Sequence, residues 1–72
     1  MNGEDLDKAL HDCMNTIWKN YREAVTSGNF KPFNKCFNDL YDKYEDLSVH
    51  RFIASMGMGL TPAATKRIKG ES

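Results

Sequence analysis

His11, Cys13, Cys36 and His50 are the side chains of this chain that could act as nucleophile, base or soft metal ligand. An imidazole beside a thiol makes a reactive thiolate, and two cysteines with two histidines make a zinc site when all four converge. Their spacing speaks against both. His11 and Cys13 flank Asp12, and residues two apart on a helix point to different faces. Positions 11, 13, 36 and 50 follow no zinc-ligand spacing, and a Cys13–His50 dyad would need tertiary proximity that no local pattern encodes. Asp39, Asp42, Glu45 and Asp46 lack the spacing of a calcium loop and read as a solvated face. Gly57-Met58-Gly59 lacks the Lys-Ser/Thr ending of a phosphate loop. The expectation is a non-enzymatic chain with no metal and no cofactor.

These residues have to be carried by helices. Leu6, Leu10, Cys13, Met14, Ile17, Tyr21, Ala24 and Val25 recur at three- and four-residue steps. After Ser27-Gly28-Asn29 the rhythm restarts through Phe30, Phe33, Cys36, Phe37, Leu40, Tyr41 and Tyr44. This is the period of two amphipathic helices. The first is predicted over about 3–27, capped by Asn2, with Glu4, Asp5 and Asp7 at its positive end and Gly28 closing it. The second is predicted over about 32–46, opening at Pro32. So short a connection makes the two antiparallel. A third helix is predicted over about 48–57, capped by Ser48 and stapled by Leu47 on Phe52. Val49, Phe52, Ile53 and Met56 form its stripe, and Gly57 and Gly59 end it. Thr61-Pro62 then opens a short element over about 62–69, a helix or a tail. The fold class read from the sequence is all-α: a helical hairpin, a third helix packed across it and a short C-terminal helix or tail.

At 72 residues the chain reads as one small domain whose single core leaves only about 3–5 kcal/mol of margin. A formal net charge of zero disfavours binding nucleic acid through bulk electrostatics. The charge is unevenly spread. Positions 1–47 hold nine acidic and six basic side chains, a balance of −3, and positions 48–72 hold one and four, a balance of +3. Two cysteines on core faces and an acidic beginning suit a cytoplasmic protein with reduced thiols. No apolar run reaches the ~20 residues of a membrane span.

Gly28, Phe30, Phe33, Phe37 and Leu40 stand at offsets that resemble half of a tetratricopeptide repeat, with Phe33 and Leu40 where that family has small residues. Residues 52–70 resemble a helix-turn-helix of the phage-repressor type. That resemblance implies DNA binding, with Thr61, Ala63, Thr65 and Lys66 toward bases and Arg67 and Lys69 toward phosphate. It lacks an early Gln, Asn or Arg for bidentate base reading. The leading expectation is a small interaction module that binds a protein partner or its own copy, of the accessory or inhibitor kind carried by phages and mobile elements. Trp18, Met56, Met58 and Leu60 are its candidate contact residues, as an edge tryptophan and a thioether cluster suit a binding surface. The alternative is a DNA-binding regulator that uses residues 61–69. No membrane partner is expected.

Overall fold

A computed structural model describes residues 2–70 and contains three helices among them. They are α1 (Gly3–Ser27), α2 (Lys31–Lys43) and α3 (Leu47–Ile68). The all-α class and the helical hairpin agree with the sequence pattern. In α1, Asn2 Oδ1 accepts from the Asp5 amide at 2.8 Å, so the chain supplies its own N-terminal cap. Gly28 ends the helix at φ 79°, a left-handed geometry that only glycine adopts without strain, and its amide donates to the Ala24 carbonyl. The connection is braced by its own side chains: the Asn29 amide donates to Ser27 Oγ at 3.1 Å, and the Lys31 amide to Asn29 Oδ1 at 3.2 Å.

α2 begins at Lys31 with Pro32 in its first turn, and it ends at Lys43, earlier than position 46. Asp46 is instead the N-cap of α3, its Oδ1 accepting from the Ser48 amide at 2.8 Å. The cap is therefore Asp46 and not Ser48. Leu47 becomes the first helical residue and is exposed, so it makes no staple with Phe52.

The largest correction concerns the end of the chain. α3 runs unbroken from Leu47 to Ile68 through Gly57, Gly59 and Pro62, so no turn separates a third helix from a fourth. Glycine costs a helix about 1 kcal/mol and an interior proline about 3 kcal/mol relative to alanine. Here the apolar stripe holds phase across them: Val49, Ile53 and Ala64 are buried, while Met56, Leu60 and Ala63 pack on the core between and beside them. A break at 57–61 would withdraw Leu60, Ala63 and Ala64 from that core. Gly57 has a second role. A Cβ there would lie 3.3 Å from Cε1 of Phe37, so its hydrogen lets α3 approach the Phe37 ring.

Contacts fix the layout. Lys43 and Tyr44 reach Asp12 while Phe33 meets Tyr21, so α2 runs antiparallel to α1. Tyr41 meets His50 and Phe37 meets Gly57, so α3 runs antiparallel to α2. The chain is an up-down-up bundle, and α1 packs against both neighbours. Its core joins Ala9, Cys13, Ile17, Tyr21 and Ala24 of α1 to Phe33, Cys36 and Leu40 of α2 and to Val49, Ile53 and Ala64 of α3. Phe33 and Leu40 thus fill the interhelical space that small residues occupy in a tetratricopeptide hairpin.

Candidate interaction surfaces

The residues with reactive chemistry are dispersed. His11 lies on the exposed face of α1, with Asn15 Nδ2 at 3.3 Å from its Nδ1. Cys13 is fully enclosed, and burial pushes its thiol pKa up. Burial, helped by the Asp39 charge, pushes the Cys36 thiol up to about 11, and its Sγ donates to the Phe33 carbonyl at 2.9 Å. Both thiols are free and held in the un-ionised form that is a poor nucleophile.

His50 has a structural role that no local motif signals. Its Nε2 donates to the Tyr44 carbonyl and lies 3.2 Å from the Tyr41 carbonyl. These are among the carbonyls that the end of α2 leaves without a helical partner. The imidazole edge also meets the Tyr41 ring, with centroids 5.0 Å apart. His50 therefore ties the end of α2 to the start of α3.

Asp12 ties the same end of α2 to α1. Its Oδ2 accepts from Lys43 Nζ at 2.8 Å and from the Tyr44 hydroxyl at 2.6 Å. The Lys43 hydrogen bond, then the Tyr44 one, holds the Asp12 carboxyl below its ordinary pKa, and the same carboxylate raises those of Lys43 and Tyr44. Asp12 is thus an interhelical anchor, although its sequence neighbours suggest an outer face.

The candidate contact residues separate into three settings. Trp18 is 50% exposed and stacks on Tyr21 with centroids 5.4 Å apart. Tyr21 in turn meets Phe33, and Phe33 meets Phe37, so the indole is the outer end of an aromatic chain through the core. Met14, read as part of the core stripe, is also exposed one turn before Trp18. Met56 and Leu60 face inward, one helical turn apart, and pack against the core. Met58 points the other way and is 79% exposed, so the thioether cluster at a flexible turn does not exist.

Thr61, Thr65, Lys66, Arg67 and Lys69 are all exposed along the end of α3. The Thr65 hydroxyl donates back to the Thr61 carbonyl at 3.1 Å, inside the helix. Lys66 and Arg67 occupy the last turn, where cations complement the negative end of the helix dipole. Since residues 57–61 are helical, the turn of a helix-turn-helix and the free N-terminus of a recognition helix are both missing, which corrects that resemblance.

What the structure does assemble is an apolar seam. α2 spans about 20 Å and α3 about 33 Å at 1.5 Å per residue, so α2 cannot cover α3 along its length. A shallow groove follows their junction, with Phe30 and Ile68 toward one end, Phe37 and Met58 toward the other, and Asn34 and Thr61 shared between. Met58 and Ile68 of this lining are exposed at 79% and 49%, and Leu47, farther along α3, at 64%. At 100° per residue these three lie within about 80° of arc on α3.

No family model, curated protein or solved structure matches the chain. Among the described residues no helix is long and apolar enough to cross a membrane.

Proposed function

We propose that this chain is a non-catalytic protein-interaction module whose contact surface is the outer edge of α3 with the adjoining α2–α3 seam. One observation carries the reading: Leu47, Met58 and Ile68 stand exposed along one edge of a single helix, and Met58 and Ile68 also line the groove with Phe30, Phe37 and Tyr41. Isolated surface apolar residues are ordinary, but an aligned set next to an aromatic groove marks an association surface. Trp18 lies on a different part of the surface and takes a secondary place in the proposal. A reducing, cytoplasmic setting suits Cys13 and Cys36, two free buried thiols that serve as small hydrophobes.

The test compares the chain with its Met58→Asp, Ile68→Asp double variant as bait, with crosslinking and identification of whatever is retained, including further copies of the bait. A specific partner held by the chain and released by the variant supports the proposal. Identical retention by both contradicts it. So does binding to random duplex DNA that weakens steeply with salt, which is the behaviour of the rival DNA-binding reading through Thr61, Thr65, Lys66, Arg67 and Lys69.

A further inference from the structure

Building on that surface, we infer that its occupant is a second copy of this chain, docked with the two α3 helices antiparallel about a two-fold axis between Gly57 and Met58. The outer edge of α3 matches its own reverse. An axis at that point sets Leu47 opposite the second copy's Ile68 at each end, so both exposed aliphatic residues gain an apolar partner. It sets Ala54 opposite the second copy's Thr61, flanking the two Met58 side chains near the axis. Ala54 and Thr61 are small and exposed, and small residues at a crossing let two helices sit near the short end of the usual 8–10 Å separation. Met58, the most exposed large apolar side chain, then lies at the centre, where interface hot spots concentrate.

Charge fixes the orientation. Asp42, Glu45 and Asp46 gather where α2 gives way to α3, against Arg51 and a Lys43 already paired with Asp12. Lys31, Lys66, Arg67 and Lys69 lie at the opposite end of the bundle, with Lys69 nearest the outer edge of α3 and Lys66 and Arg67 turned away from it. The antiparallel arrangement places the acidic end of one copy on the basic end of the other. A parallel arrangement would place like charges together, which costs free energy and selects against it. The contact is isologous and closes on itself, so it yields a dimer and not a filament. A heterologous partner would need none of this internal symmetry.

Sedimentation equilibrium of the purified full chain over a wide concentration range tests the inference. The expected result is a monomer–dimer equilibrium in which Met58→Asp raises the dissociation constant by roughly 30-fold or more, the size of a central hot spot. Circular dichroism of that variant should keep the helical content, since Met58 faces solvent in the monomer. Orientation is read by mild oxidation. A Leu47→Cys, Ile68→Cys double variant should form a covalent dimer, while Leu47→Cys alone should not, because the two copies of position 47 lie roughly 30 Å apart in the antiparallel pair. A monomer at every concentration, a dimer indifferent to Met58→Asp, or crosslinking of Leu47→Cys alone would each overturn the inference. A monomer that still holds a different protein through Met58 overturns the dimer and leaves the interaction module standing.

Discussion

Val49, Ile53, Met56, Leu60 and Ala64 climb one edge of α3, and Leu47, Met58 and Ile68 climb another, yet the two sets meet opposite fates. The inner set recurs every turn, faces α1 and the buried side of α2, and closes the core. The outer set is spaced about three turns apart and lies on the outer flank of the α2–α3 junction, where neither neighbour covers it. The contrast teaches that periodicity decides which apolar residues fold a helix into its own chain. Dense stripes are consumed within the molecule, and sparse aligned ones are left exposed. A second contrast runs along α2. Its end is tied by Asp12 to Tyr44 and by His50 to the Tyr41 and Tyr44 carbonyls, while its α3-facing flank beyond that point is an apolar groove.

The comparison breaks most visibly at Ile53, which is fully enclosed. Ile53→Ala should lower the unfolding free energy by about 3 kcal/mol in a chemical denaturation series, enough to leave so small a core marginal. Gly57 comes next. Gly57→Val places branched carbons where even a Cβ would sit 3.3 Å from the Phe37 ring, and should cost about 2 kcal/mol in the same assay. His50→Ala should cost about 1–2 kcal/mol, because it strips the donor from the α2 carbonyls, and amide exchange near Tyr44 should rise with it. At the far end of the scale, Met58→Ala should change monomer stability by less than about 0.5 kcal/mol, the range of an exposed position. If Met58→Ala proved as costly as Ile53→Ala, the division between the two edges would fail.

The hairpin was legible because its two stripes are long, regular and separated by Gly28, whose left-handed backbone is needed where the chain turns. The cap at Asn2 was legible for the same local reason. The continuity of α3 was obscured by composition: Gly57, Gly59 and Pro62 each signal a helix end when read alone. The contrary signal is present, since Leu60 and Ala64 continue the three- and four-residue rhythm of Val49, Ile53 and Met56. Glycine and proline outweigh it locally, because each is the commoner mark of a helix end. A turn at 57–61 would gather Met56, Met58 and Leu60 into one cluster and give residues 61–69 the look of a recognition helix. The roles of His50 and Asp12 were illegible for a different reason. Each acts on a neighbouring helix, His50 across the α2–α3 connection and Asp12 on residues more than thirty positions away, and no local spacing encodes such contacts.

Leu47, Met58 and Ile68 share an edge only because α3 is one helix. Backbone carbon chemical shifts of the labelled chain in solution read this directly at each residue. Uninterrupted helical Cα shifts from Leu47 to Ile68, including Gly57 through Pro62, are the predicted result. Coil-like shifts across Gly57–Thr61 would contradict it, restoring a separate C-terminal helix and dissolving the outer edge.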